Sequence, residues 1–312
     1  MSQEETQEKE ALVPIKEVSY KRGPYKKHNE EEDPVKNIET ASNGSLLKEI
    51  ESRGYFASKI PPQKTDKVFK GEIKKPGSVY KFGVFSCPQL GSKYQQLTHL
   101  YSFYKKCEEE KVDAMMCAGD LVDGEKVYRG QEYELFVHGA DAQRDYVIKR
   151  FPHIKGIKTY IISGNHDASF WSVSGYNIVQ AICDARDDMV FLGDNYAVYT
   201  IGKIKIALMH GDGGVAYARS YKLQKVIEQI APENKPHMLF LGHYHVEDLQ
   251  PMYRNVAGIM LGCFQAQTPY LARKGLYPEL GGWIVEFGVN EKGFTNIKYE
   301  HIPFYVPIKN DY

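Results

Sequence analysis

The chain predicts a layered α/β fold in which sheet is covered by helix. Three observations lead there. From residue 80 onward, short apolar runs alternate with segments of helical periodicity. After residue 256 the apolar runs follow one another with little helical sequence between them. Polar motifs with glycine sit directly after the predicted strands, where α/β folds gather their ligand sites.

The elements follow in order. Residues 1–35 are rich in Glu and Lys and poor in large aliphatics, the composition of a disordered tail. Their basic run, Lys21-Arg22-Gly23-Pro24-Tyr25-Lys26-Lys27, could touch phosphate. The neighbouring Glu30-Glu31-Glu32-Asp33 cancels its charge, as in an ordinary solvated tail. Residues 34–58 predict two short helices. Pro34 suits a first helical position, Ser45 can cap residues 46–53 and Gly54 can stop them. The pair reads either as a small DNA-binding helix-turn-helix or as an arm packed on the main domain. Residues 59–77, with Pro61-Pro62 and many lysines, read as a linker. The expected division is a tail over 1–35, a helical segment and linker over 36–77, and a main domain over 78–312.

Within that domain, strands are predicted at 80–86, 113–118, 157–163, 189–192, 197–201, 204–209, 237–241, 256–261, 283–287 and 297–301. Each is a short apolar run of β-forming residues. Helices are predicted at 93–110, 140–151, 176–185 and 221–230. In the first, Leu97, Leu100, Tyr101, Tyr104 and Cys107 recur at helical spacing and mark one buried face.

Lys plus Arg equals Asp plus Glu, 40 against 40, which excludes a whole-protein basic field for nucleic acid. The 5 cysteines have irregular spacing and no CxxC, as expected of reduced thiols in the cytoplasm. The acidic N-terminus has no apolar signal-peptide core, and no apolar run approaches the ~20 residues of a membrane span.

The chemistry lies in Gly119-Asp120-Leu121-Val122-Asp123-Gly124, Gly164-Asn165-His166-Asp167, His210-Gly211-Asp212 and Gly242-His243-Tyr244-His245. Asp120 offers a carboxylate, Asn165 an amide oxygen, and His210, His243 and His245 offer imidazole nitrogens. Such mixed donors suit Mn, Fe or Zn better than Ca. One carboxylate can bridge two ions, and two ions can clamp a phosphate ester. Asp123 and Asp212 could orient imidazoles from behind. Taken singly, each motif is weak: GHxH is commonly a pair of loop histidines, and AGDLVDG an acidic turn. Their joint occurrence, each after an apolar strand, carries the signal.

Together these motifs resemble the calcineurin-like metallophosphoesterase family over roughly residues 80–305. The resemblance implies a four-layered α/β/β/α sandwich with two metal ions between the sheets. It implies that Asp120 bridges the ions, that Asp120, Asn165, His210 and His243 complete one site, and that His245 serves the other. His166 would act above the phosphate as catalytic group, with Asp167 holding its imidazole.

The first motif departs from the family. Where the pattern has Asp-x-His, this chain has Cys87 and Gln89 in Ser86-Cys87-Pro88-Gln89-Leu90-Gly91-Ser92. Three outcomes stay open. Cys87 and Gln89 ligate as thiolate and amide oxygen; or a single ion occupies the intact half; or the domain survives as a non-catalytic binding scaffold. A small buried residue closing a strand is an equally good account of Cys87. Arg129, in the segment between the second and third motifs, is a candidate phosphate contact, with a surface ion pair to Glu132 or Glu134 as the plainer reading. Cys263-Phe264-Gln265-Ala266-Gln267-Thr268-Pro269 could add a wall or be an ordinary loop.

The expected function is metal-dependent hydrolysis of a phosphate ester by a metal-bound hydroxide, with His166 assisting the leaving oxygen. A phosphodiester is favoured, with DNA or a nucleotide as the substrate partner. The expected cofactor is one or two divalent ions, and the expected location cytoplasmic with no membrane partner.

Overall fold

The computed structural model describes residues 69–71, 77–290 and 293–312. The tail expected over 1–35 and the helix pair expected over 34–58 lie outside the described residues. All described residues belong to the unit Gln63–Tyr312.

Two six-stranded sheets form the frame. The first runs, in space, β12 (Gly293–Pro303), β11 (Gly281–Asn290), β2 (Val79–Phe85), β3 (Ala114–Cys117), β4 (Thr159–Ser163) and β5 (Met189–Asp194). Strands β2 to β5 are parallel, while β11 pairs antiparallel with both β2 and β12. The second runs β1 (Phe69–Gly71), β6 (Tyr196–Ile201), β7 (Ile204–His210), β8 (Met238–Gly242), β10 (Val256–Met260) and β9 (Asp248–Tyr253).

Parallel neighbours need crossover connections, and helices supply them. Helices α1 (Leu97–Glu109), α2 (Ala140–Arg150), α3 (Ala168–Ser174) and α4 (Ile178–Asp184) cover the outer face of the first sheet. Their Leu100, Phe103, Val147, Phe170 and Ile182 pack on Phe85, Met115 and Ile161. Helix α5 (Tyr221–Gln229) lays Leu223 and Ile227 on Ala207, Leu239 and Leu241 of the second sheet. Between the sheets, Phe82, Val84, Met116 and Ile162 meet Ile206, Leu208, Phe240 and Ile259. The result is the expected α/β/β/α sandwich. Covered on both faces, β3 is buried at every position, and so reads in sequence as one apolar run. Each fully buried large side chain in these layers contributes about 1.5–3 kcal/mol.

Four elements differ from the sequence expectation. Strand β1 falls inside the predicted linker, where it pairs in parallel with β6. Strand β9 is only partly buried or exposed along its length and shows no apolar alternation. Helix α3 begins immediately after Gly164-Asn165-His166-Asp167, and α6 (Pro269–Arg273) is one short turn capped by Thr268. No described helix is long and apolar enough to cross a membrane.

Candidate metal centre

Backbone pairing carries the first two motifs to one place. Strands β2 and β3 keep bonding past their ends: Cys87 N donates to Gly119 O at 2.9 Å and Gln89 N to Asp120 O at 3.1 Å. On the second sheet His210 stands in register with Gly242, which sets His210 beside His243. Gly164 at the end of β4 closes the gap between sheets. A Cβ there would lie 2.3 Å from Asp120 Oδ1 and 2.7 Å from Asp120 N, so only glycine fits. Cys87, Gln89, Asp120, His243 and His245 all have left-handed backbone, with φ of 50°, 50°, 56°, 91° and 54°. Such backbone costs a non-glycine residue on the order of 1 kcal/mol and persists where surrounding contacts enforce it.

The side chains then converge. His210 donates from Nδ1 to Ala118 O at 2.7 Å. Its Nε2 therefore faces Asn165 Oδ1 at 3.0 Å and Asp120 Oδ2 at 3.1 Å. His243 donates from Nε2 to Gly213 O at 2.9 Å and turns Nδ1 to Asn165 Oδ1 at 2.8 Å. Two imidazole nitrogens, an amide oxygen and a carboxylate oxygen thus direct lone pairs at one another. Such a set, buried at Asp120 and His210, is arranged to take a cation among its members.

A proton fills that role only in part. Burial pulls the His210 pKa down, but the charge of Asp120 and hydrogen bonds to Asp120 and Ala118 leave it raised. His243 goes the other way: burial first, then the neighbouring His210, lower it to about 4. One proton on His210 leaves the His243–Asn165 pair still lone pair to lone pair. Asp120 stays ionised, since the imidazoles of His210 and His166 outweigh the effect of its burial. His245 Nδ1 is sealed from solvent and has no hydrogen-bond partner. Burial lowers its pKa to about 3, so the ring is neutral and keeps a lone pair to offer. These donors fit a divalent ion of the Mn, Fe or Zn type.

His166 borders the same cleft, of about 440 Å³. It donates from Nδ1 to Asp123 O at 2.6 Å, with Asp123 Oδ1 at 3.5 Å, and Nε2 is left as the free nitrogen. Burial opposes its charge, yet Asp120 and Asp123 raise its pKa to about 9.

The calcineurin-like phosphoesterase family model matches residues 80–247, more than half of the 312 residues. The chain belongs to this family. The DNA polymerase II small subunit of Methanocaldococcus jannaschii is 30% identical over 207 residues, 54% of this chain and 34% of that protein. The DNA polymerase II small subunit of Methanothermobacter thermautotrophicus is 26% identical over 204 residues, 54% of this chain and 42% of that protein. The match therefore spans less than half the length of these relatives. Among solved structures, Vps29 of Chaetomium thermophilum is similar at 13% identity and a TM-score of 0.39, covering 72% of this chain and 98% of that one.

For a calcineurin-like phosphoesterase, the first motif is unusual in space as well as in sequence. Cys87 is fully buried, its Sγ 3.0 Å from Ser86 Oγ and 4.0 Å from Asp120 Oδ2. Burial, then the charge of Asp120, push its thiol well above the usual range. Sγ of Cys87, an oxygen of Asp120 and a nitrogen of His210 lie within 4.8 Å of one another. Gln89, also fully buried, donates from Nε2 to Asp120 Oδ2 at 3.1 Å. Its Oε1 is buried without a partner. A hydrogen bond to a charged group is worth about 1.5–3 kcal/mol and an orphaned polar atom costs about 1–3, so the two roughly offset.

Three sequence expectations are corrected. Asp167 does not hold His166. Its oxygens accept from the backbone N–H groups of Gly164 at 2.8 Å, Leu121 at 3.2 Å and Val122 at 3.0 Å, which ties the second motif to the third. Asp212 is exposed and accepts from Gly213 N, while the carbonyl of Gly213 orients His243. Arg129 is exposed and does not line the cleft. Its neighbour Tyr128 turns inward instead, held by Glu134 Oε2 at 2.7 Å and stacked on Tyr270 at 4.1 Å.

Sequence reasoning missed the aromatic side of the cleft: Tyr128, Tyr270, Leu271, Leu276 and Tyr277. Its one signal was Thr268-Pro269, a capping residue followed by a first-turn proline, which starts α6 and presents Tyr270 and Leu271.

Proposed function

We propose that the chain is a divalent-metal-dependent phosphodiesterase acting on a nucleotide or a single-stranded nucleic-acid end. One observation carries this reading: the inward lone pairs of His210, His243, Asn165 and Asp120, with both imidazole tautomers set by backbone carbonyls. These residues would hold the ion. When bound, a divalent cation there supplies Lewis-acid polarisation of a phosphoryl oxygen and lowers the pKa of water.

The chain's own groups do the rest. His166, with Nδ1 fixed on the Asp123 carbonyl, offers Nε2 to the leaving oxygen. Asp167 keeps the second and third motifs in register, so that Asp120 and Asn165 face the same point. The Tyr128–Tyr270 stack and Tyr277, which is 63% exposed, give a base a flat apolar surface. Three polar side chains of that wall are already engaged. Thr268 Oγ1 accepts from Leu271 N, Gln265 Nε2 donates to Ser92 and Asp123, and Tyr128 OH donates to Glu134. The polymerase-subunit names of the curated relatives support nucleic acid as substrate and a polymerase subunit as protein partner.

A second reading, a non-catalytic binding scaffold, is favoured by Gln89, which caps an oxygen of Asp120. One experiment separates the two. The full chain, purified without chelator, is assayed for bound metal and for hydrolysis of bis(nitrophenyl) phosphate and a single-stranded oligonucleotide. The hydrolase reading expects bound metal and turnover in the wild type. His210→Ala should lose both, with turnover down at least about 100-fold, the upper range for perturbing residues around a metal. Bound metal without turnover on either substrate would transfer the case to the scaffold.

A further inference from the structure

We propose that Gln89 takes the place of a second cation, so that the centre binds one divalent ion per chain, on the side formed by Asn165, His210 and His243. This rests on the metal-site reading above and adds to it the number of ions and the group that limits it.

A carboxylate that bridges two ions must keep a lone pair free for each. Asp120 has few to spare. Its Oδ1 accepts from His166 N at 2.9 Å. Its Oδ2 accepts from Gln89 Nε2 at 3.1 Å and faces His210 Nε2 at the same distance. The Gln89 amide thus puts a polarised N–H against the oxygen a second ion would use. In kind this is what the cation does: positive charge density on a buried carboxylate oxygen.

The amide cannot easily leave. Gln89 is fully buried, and its left-handed backbone, φ 50°, is fastened by Gln89 N to Asp120 O at 3.1 Å and by Ser92 N to Gln89 O at 3.2 Å. Turning the amide over would set Oε1 where Nε2 now is, two oxygens 3.1 Å apart in a buried place. Cys87 does not make up the deficit. Its Sγ sits 3.0 Å from Ser86 Oγ, where hydroxyl and thiol satisfy each other, and 4.0 Å from Asp120 Oδ2, too far for a strong bond. His245 remains on that side with Nδ1 unpartnered, and a lone imidazole with a half-used carboxylate is a poor cage for a second ion. The intact side differs in kind, since four donors at the ends of four strands already point at one another there.

The test reads metal, not turnover. The chain is stripped and reloaded with Mn²⁺. Ions per chain are counted by mass spectrometry, and electron paramagnetic resonance asks whether the manganese is isolated or spin-coupled to a neighbour. Wild type is expected to saturate at one ion with an uncoupled hyperfine pattern. The Cys87→Asp, Gln89→His double variant is expected to reach two ions with a coupled signal, and Gln89→His alone checks the same point with a smaller change. Circular dichroism screens the variants for folding, but the wild-type count decides by itself if neither folds. Two coupled ions in the wild type would overturn the proposal while leaving the phosphodiesterase reading intact. So would a folded double variant that stays at one ion. No ion in the wild type, together with no hydrolysis, would overturn both.

Discussion

His210 donates its Nδ1 proton to the backbone carbonyl of Ala118 at 2.7 Å, a bond that runs from one sheet to the other. It fixes the tautomer, so Nε2 must face Asn165 and Asp120. The site is therefore built by the seam between the two sheets. Anything that shifts one sheet against the other there should empty the centre of metal before it unfolds the chain.

Gly164→Ala tests that seam. The added Cβ would lie 2.3 Å from Asp120 Oδ1 and 2.7 Å from a backbone nitrogen that cannot swing away. Overpacking of this kind costs about 1–3 kcal/mol. The expected outcome is a melting temperature lower by roughly 2–4 °C for each kcal/mol, and loss of the stabilisation that Mn²⁺ gives the wild type. Scanning calorimetry with and without Mn²⁺ checks both. An unchanged metal-induced shift would mean that the seam tolerates more than its spacing allows.

His166→Ala should keep its metal and lose turnover in a way that depends on the leaving group. Its Nε2 is free and its Nδ1 tied to Asp123 O, the arrangement of a proton donor. General acid catalysis is typically worth about 10²–10⁴-fold. The loss should be near that size for a dinucleotide, whose alkoxide needs the proton, and much smaller for a nitrophenyl ester, whose phenolate does not. Equal losses on both substrates would assign His166 to binding rather than to proton transfer.

The aromatic wall predicts discrimination between ligands that share a phosphate. Adenosine monophosphate should bind the Mn²⁺-loaded chain more tightly than ribose 5-phosphate by an amount matching one base stack, about 1–3 kcal/mol. Tyr277→Ala and Leu271→Ala should narrow the gap without changing the affinity for ribose 5-phosphate. Titration calorimetry measures all six affinities. Equal wild-type affinities would remove the nucleobase from the proposed substrate.

Asp311 makes a stability prediction far from the site. Its carboxylate accepts from Thr98 N at 2.7 Å and Thr98 Oγ1 at 2.6 Å, in the first turn of α1. It caps a helix through Thr98, 213 positions earlier in the chain. Asp311→Ala should lower stability by about 0.5–2 kcal/mol, the usual cost of losing a helix cap. Urea denaturation followed by circular dichroism would read it, with metal content and turnover unchanged.

The layers and most strands could be read from the sequence because burial on both faces turns a strand into a short apolar run. Ala114–Cys117 and Met238–Gly242 are of this kind. The elements that escaped lack such a run. The Asp248–Tyr253 strand is exposed or half-buried along its length, and Phe69–Gly71 is three residues in a lysine-rich stretch. Among polar residues, Asp120, Asn165, His210 and His243 were legible because four glycine-bearing polar motifs, each weak alone, occur together and each follows an apolar strand. The role of Asp167 was not, because nothing in Asn-His-Asp tells whether a carboxylate will turn to the ring beside it or to backbone amides across a loop.

The sequence by itself determined the fold class, the family, and the chemical types gathered at the strand ends, since those depend on local pattern and residue chemistry. Only the tertiary structure decided that Gln89 spends its amide on Asp120, that Tyr128 and not Arg129 faces the cleft, and that Asp311 caps a distant helix. Each of these depends on which buried donor reaches which acceptor. Reach is a matter of distances between chain segments far apart in sequence, which no local pattern encodes.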